Sequence, residues 1–218
     1  MNPSQLERRL SSLIPEAKLE TYTLDTKPKI SLSLINADYP RGRLPADVAL
    51  RLMENPLYWA FCWASGDVMA QYILQNKPMF KGKRIVDFGC GSGVVAIAAA
   101  LAGAQDVIAC DIDELAITAT KHNAELNNVS LRYNQDFNEI EDNIDIIFAA
   151  DVLYDRDNYP WLETFSRRAN TVLIADSRVK NFEFPGYKKV FSQEACTLPD
   201  LDESKEFRMV NVYRGGTQ

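Results

Sequence analysis

Residues 86–93 read Val-Asp-Phe-Gly-Cys-Gly-Ser-Gly, with three glycines alternating behind an aspartate. Gly89, Gly91 and Gly93 can adopt backbone conformations closed to other residues, and a missing Cβ lets a ligand approach the main chain. A turn of this kind, between a first strand and its helix, lies where open α/β sheets bind nucleotides. The spacing separates ligand classes. Dinucleotide sites use G-x-G-x-x-G, whereas Val94 occupies the position of their third glycine. No Gly-Lys-Ser/Thr follows, which excludes a P-loop. Asp87, directly before the glycines, would repel a pyrophosphate.

A ligand with an amino group and no phosphate suits that aspartate, and S-adenosylmethionine is such a ligand. Asp111 follows the glycines by about 20 residues, at the end of a second strand, where a carboxylate can accept hydrogen bonds from both ribose hydroxyls. Ile112, beside it, is assigned to the same site, while Asp113 reads as the N-cap of the next helix. After a third strand, Asp136 offers a carboxylate for the adenine amino group and Phe137 a ring for its face. Singly, each carboxylate is a cap or a solvated loop residue. At the ends of consecutive strands they form a cofactor site.

The elements that would carry these residues alternate. Strands are expected at 84–88, 106–110, 129–133, 144–150 and 171–175, with helices at 94–101, 113–127 and around 161–168; Gly103 sits where a helix C-terminal glycine belongs. This β–α alternation implies a parallel sheet with helices on both faces. Two further strands, 187–191 and 207–213, have no helical pattern between them, so the last should run antiparallel to its neighbour. In it Phe207, Met209 and Tyr213 share one face and Val210 and Val212 the other, as in a buried strand. The sum is a seven-stranded, mostly parallel α/β sheet closed by an antiparallel hairpin, the arrangement of Rossmann-like methyltransferases.

Residues 1–55 read as an extension packed on a domain of 56–218. Leu6, Leu10 and Leu13 share a helical face that ends at Ile14-Pro15, Ile30, Leu32 and Leu34 alternate as a strand, Pro40, Gly42 and Pro45 mark a loop, and 46–54 resumes helical spacing. With 218 residues, 46% hydrophobic and 25% charged, the chain suits one globular domain. The first stretch lacks the apolar core of a signal peptide, and the longest apolar run, 94–102, is too short to span a bilayer. Four scattered cysteines and one histidine leave no zinc-ligand spacing, so no metal is expected, and free thiols fit a reducing cytoplasm. The net charge of −6 lacks the basic footprint of a nucleic-acid partner and is compatible with a cationic one such as lysine.

The loop 87–93, Asp111, and Ala150-Asp151-Val152-Leu153-Tyr154 together resemble the class I protein-lysine methyltransferases, which carry an Asp-x-x-Tyr or Asp-x-x-Phe signature after the fourth strand. Residues 58–66, Tyr-Trp-Ala-Phe-Cys-Trp-Ala-Ser-Gly, are similar to the segment preceding the core in the lysine methyltransferases of the electron-transfer-flavoprotein β-subunit and their bacterial relatives. The likeness runs from about Leu32 to Tyr213. It implies S-adenosyl-L-methionine as cofactor and, as partner, a protein presenting a lysine, with neither nucleic acid nor membrane. Trp63, with Ser65 and Gly66, would line the cofactor pocket; Asp151 would stand at the methyl-transfer site and Tyr154 beside the substrate channel. Two departures stand out: Ser65-Gly66 where relatives often have Gly-Gly, and Asp176-Ser177-Arg178 where many have Asp-Pro-Gly-Arg. The residues leave alternatives. Trp59 and Trp63, at i and i+4, could be a core pair on one helix face, and Asp151 a helix cap. The same fold could serve a small-molecule N-methyltransferase or a non-catalytic nucleotide-binding module.

Overall fold

The computed structural model describes residues 4–39, 45–179 and 182–216. In chain order they form α1 (Ser4–Leu13), β1 (Leu19–Leu24), β2 (Ile30–Ile35), α2 (Ala46–Glu54), α3 (Ala64–Gln75), β3 (Arg84–Phe88), α4 (Val94–Leu101), β4 (Asp106–Cys110), α5 (Glu114–Leu126), β5 (Arg132–Asn134), β6 (Ile144–Ala150), α6 (Tyr159–Arg168), β7 (Ala169–Asp176), β8 (Lys188–Glu194) and β9 (Met209–Gly215). Pro40 and Gly42 of the expected loop lie outside the described residues. Among the described residues no helix is long and apolar enough to cross a membrane.

The period-two pattern of the strands sorts their side chains into two cores. Ile85, Val107, Ala109, Ile146, Phe148, Leu173, Val210 and Val212 pack on one face, against α3 and α4. Val86, Ile108, Ile147, Ala149, Val172, Ile174 and Tyr213 pack on the other, with Leu162 and Phe165 of α6. The seven strands lie in the order β5-β4-β3-β6-β7-β9-β8. β5, β4, β3, β6 and β7 run parallel; β9 is antiparallel to both β7 and β8. From β3 the chain builds outward to β5 and then returns to the other side at β6. That reversal opens a crevice between the carboxyl ends of β3 and β6.

Two expectations need correction, and one strand is additional to those expected. The third strand is shorter and later than 129–133, at Arg132–Asn134, because Val129 and Leu131 turn into the core before pairing begins. The closing pair slips toward the C-terminus: Phe207 lies in a single 3-10 turn, and Met209 is 45% exposed rather than buried. β2 is not alone, since it pairs along its length with β1, from Leu19↔Ile35 to Leu24↔Ile30.

That hairpin is joined to the nucleotide-binding fold through α5. Asn123 and Asn127 are one helical turn apart, about 6 Å of rise, and Ser31 and Ser33 on the free edge of β2 are about 6.6 Å apart. The matched spacing lets each amide oxygen accept a strand N–H, Ser33 to Asn123 and Ser31 to Asn127, both at 2.8 Å. Asn127 also donates to Ser31 O at 2.6 Å, so the side chains act as a substitute third strand. Fully buried Asn123 turns its amide nitrogen to Ser92 O, 2.8 Å away, and so ties the hairpin to the glycine loop. α1 closes this side with Leu6, Leu10 and Leu13 against Ile35, Trp59, Ala116 and Ala119.

Asn123→Ala strands two buried backbone groups and is expected to lower the unfolding free energy by about 2–4 kcal/mol, against about 1–2 kcal/mol for the less buried Asn127→Ala. Urea titration of the two variants checks the order; equal losses would show that the link to Ser92 contributes nothing.

Candidate active site

At the end of β3 the chain turns through Gly89, Gly91 and Gly93 at φ of +72°, +50° and +81°. The three glycines serve different ends. A Cβ on Gly89 would stand 2.9 Å from Val152, where the loops after β3 and β6 touch. On Gly93 it would meet Thr120 at 2.6 Å. On Gly91 it would meet, among the described residues, nothing closer than Tyr58 O at 4.0 Å, leaving room over the backbone. The loop is fixed from behind: Gly89 and Cys90 donate to Cys110 O at 2.8 and 3.1 Å, and Thr120 Oγ1 donates to Gly91 O at 3.1 Å.

Asp87 shares the α4 face of β3 with Ile85. It is almost fully buried and accepts the Ala96 N–H at 3.0 Å, so it supports the loop from beneath instead of lining the crevice. Burial, opposed by that hydrogen bond and reinforced by nearby Asp111, raises its pKa to about 7. Asp111 reaches across from β4: Oδ2 accepts the Gly91 N–H and Oδ1 the Asp113 N–H, both at 3.0 Å. Burial raises its pKa as well. Asp113 caps α5 through Leu115 N, as its position implies. Ile112, next to Asp111, is 90% exposed.

Beyond β5, Asp136 lies on an exposed turn and accepts from Asn138 N at 2.8 Å. Phe137 does not join the site. Its ring is 3% exposed, wedged among Phe88, Trp161 and Phe165, with Arg168 over it at 4.5 Å. The aromatic cluster under α6 claims it, so no face is left for an adenine.

The segment 58–66 is not one helix. Tyr58–Ala60 is a 3-10 turn, and Trp63 is the extended N-cap residue of α3. The two tryptophans therefore separate: Trp59 enters the core beside α1, while half-buried Trp63 donates Nε1–H to Tyr58 O at 2.9 Å. Tyr58, half-exposed, packs against Trp63 and Tyr154 with centroids 5.8 and 5.7 Å apart. Tyr154 is likewise 50% exposed, and partial burial and Tyr58 raise its pKa. The 58–63 segment, the glycine loop and the Asp-x-x-Tyr loop thus converge on one cleft.

Asp151 follows β6 with a φ of +50°, left-handed for a residue that has a side chain. Its Oδ1 accepts from Ser65 Oγ at 2.6 Å, Ser177 Oγ at 3.0 Å and Ser177 N at 3.3 Å. Its Oδ2 accepts from Ser65 N at 3.2 Å, in the first turn of α3. Asp151 therefore does cap a helix, but one that lies 86 residues earlier in the chain. Burial, followed by the neighbouring Asp176, raises its pKa to about 6 against the pull of these hydrogen bonds. Asp176, which the sequence did not single out as a site residue, holds Leu153 N on Oδ2 and both Arg178 N and Val179 N on Oδ1. Arg178 pairs with Glu203 and covers the Phe207 ring.

Residues 69–155 match the family described as ribosomal protein L11 methyltransferase (PrmA). The chain is 40% identical to the electron transfer flavoprotein beta subunit lysine methyltransferase of Danio rerio, over 94% of this chain and 85% of that one. Identity to its Homo sapiens namesake is 30%, over 79% and 68%. Among solved structures, the ribosomal protein L11 methylase of Lactobacillus delbrueckii subsp. bulgaricus matches with a TM-score of 0.54 and 20% identity, covering 71% of this chain and 79% of that one. The magnesium protoporphyrin IX methyltransferase of Synechocystis PCC 6803 with bound SAM matches at 0.55 and 16%, covering 82% and 88%.

The glycines yield a paired expectation. Gly93→Ala combines a positive φ with a clash on Thr120 and should cost about 2–4 kcal/mol of stability. Gly91→Ala, at a similar φ but in open space, should cost about 1–2 kcal/mol and weaken S-adenosylmethionine binding beyond that loss. Thermal melts with and without the ligand separate the two, and a Gly91→Ala variant that binds normally would remove the ligand from above this loop.

Proposed function

Because the chain belongs to the electron transfer flavoprotein beta subunit lysine methyltransferase family, we propose that the cleft at the carboxyl ends of β3, β4 and β6 holds its methyl donor and that Asp151 receives the acceptor lysine. The protein is an S-adenosylmethionine-dependent protein-lysine methyltransferase with a Rossmann-like sheet. When bound, S-adenosylmethionine supplies a methyl group activated by a sulfonium cation.

The observation that carries the reading is the open space over Gly91, bordered by Asp111 on one side and by Tyr58 and Tyr154 on the other. Each oxygen of Asp111 accepts one backbone N–H, which leaves a lone pair on each for ribose hydroxyls. Exposed Ile112 and half-buried Trp63 give apolar cover, and Asp136 keeps one oxygen for the adenine amino group. Gly89 and Gly93 shape the loop, and Asp87 braces it from beneath. The residues fit the donor.

Asp151 then handles the acceptor. A carboxylate with a pKa near 6 is ionised at neutral pH and can hold a lysine ammonium, but it is too weak a base to take the proton from an unperturbed lysine. Its work is to orient the cation, and the buried surroundings lower the lysine pKa so that the proton can leave to water. Tyr154, exposed at the mouth, lines the approach. We further place the work of this enzyme in the cytoplasm, on a protein and not on nucleic acid or membrane; the net charge of −6 and four unpaired cysteines support this. Residues 1–55 we regard as an extension bound to the domain of 56–218; the Asn123 and Asn127 links support the attachment. An electron transfer flavoprotein beta subunit is the first acceptor to test.

Asp111→Asn should weaken donor binding roughly 10–100-fold, the effect of losing charge-assisted hydrogen bonds. Asp151→Asn should slow methyl transfer strongly with donor affinity nearly unchanged, the mark of a residue that acts on the acceptor. In the wild type, single-turnover methylation should fall as pH drops through about 6, because Asp151 then gains a proton and loses its charge. Calorimetry, rapid-quench rates and melting curves as folding controls decide the matter; wild-type rates in a folded Asp151→Asn protein would end the assignment.

A further inference from the structure

The geometry points to Ser65 and Ser177 as positioning residues that select which oxygen of Asp151 faces the acceptor and keep that carboxylate charged at neutral pH. The inference rests on the acceptor role proposed for Asp151 and adds to it the groups that make the role possible. Oδ1 receives three donors, the two serine hydroxyls and Ser177 N, which saturates it. Among the described residues Oδ2 receives Ser65 N alone and keeps acceptor capacity for a cation.

Both serines are buried, Ser65 fully and Ser177 at 7% exposure, so bulk water does not compete with their hydroxyls at Oδ1. They also come from opposite sides, Ser65 from α3 and Ser177 from the turn after β7, so the carboxylate cannot rotate without breaking one of them. The same four bonds hold Asp151 at its positive φ, a conformation that otherwise relaxes toward the right-handed region.

The charged surroundings are hostile to an anion. Asp176 faces Asp151 from the end of β7 and disfavours its charge. On the α3 side stands the Cys62 thiol, which feels both Asp67 and Asp151. Arg178 acts on Asp176. The serine hydrogen bonds are what oppose burial at Asp151.

The test uses full-length protein with 13C-labelled aspartate, titrated by NMR without any methyl donor, alongside single-turnover methylation across pH. Ser65→Ala removes the shortest bond and should raise the Asp151 midpoint by about one pH unit. Ser177→Ala keeps its backbone N–H and should raise it by less, and Ser177→Thr, which restores the hydroxyl, should return it toward the wild type. The acid limb of methylation should move with each midpoint. Two folded alanine variants with unchanged midpoints would overturn the inference while leaving Asp151 in its acceptor role. Midpoints that move without the rate profile would overturn the acceptor role itself, and this inference with it, while leaving the donor site intact.

Discussion

Four carboxylates stand at the carboxyl edge of adjacent parallel strands, and each is held by backbone N–H groups: Asp87 by Ala96, Asp111 by Gly91 and Asp113, Asp151 by Ser65 and Ser177, Asp176 by Leu153, Arg178 and Val179. Much else depends on this arrangement. A loop at the end of a strand has donors that no ladder satisfies, and a buried loop must pair them. Here an aspartate from a neighbouring strand supplies the acceptor. Asp111 of β4 fixes the glycine loop of β3, Asp176 of β7 fixes the loop after β6, and Asp151 after β6 fixes the start of α3 and the turn after β7. The loops are laced to one another, and the walls of the cleft are joined by the lacing.

The sheet order decides where the lacing leaves an opening. Between β3 and β6 the chain changes direction of growth, so the helices that follow these strands cover opposite faces and cannot fill the gap between them. The loops after β3 and β6 touch at Gly89 and Val152, and the space above is bounded by Tyr58, Trp63 and Tyr154 from the segment before the core. That segment is held in turn by antiparallel bonds between Cys62 and Leu198, in both directions at 2.8 Å, so the excursion between β8 and β9 takes part in building the mouth.

Elements whose pattern is strong and local were legible from the chain. Strands 84–88 and 144–150 and helices 94–101 and 46–54 have the expected ends, since apolar periodicity agrees there with punctuation by glycine, by aspartate or, before 46–54, by Pro45. β1 is not legible in the chain because Leu19–Leu24 alternates weakly and, within the strand, Leu24 alone is buried. The position of Phe137 after a strand suits a ligand, but its ring is claimed by Phe88, Trp161 and Phe165, whose proximity only the fold creates. In the sequence Ser177 shows only as a departure from the pattern of related chains, and Ser65 as such a departure and as a pocket-lining residue beside Trp63. That both converge on Asp151, from 86 and 26 residues away, is a long-range fact that no local spacing encodes.

The upward pKa shifts give this edge an unusual dependence on pH. Asp87 near 7 and Asp151 near 6 bind their protons more tightly in the folded chain than in the unfolded one, where 3.8 is usual. Between about 4 and those values the folded protein holds protons that the unfolded chain has released, so ∂ΔG/∂pH from these groups is negative. Their contribution to stability is therefore present below about 4 and declines as pH rises through 6 to 7, the reverse of a salt-bridged carboxylate. At neutral pH Asp151 is ionised and Asp87 partly so, without a cation among the causes that shift them. A cation entering the cleft reverses the sign of the nearest charge and favours the ionised forms. The methyl donor and the lysine ammonium are both cations. On the proposed reading, in which this cleft takes both, its occupancy and the ionisation of its carboxylates are linked, and the desolvated edge is complementary to cationic ligands.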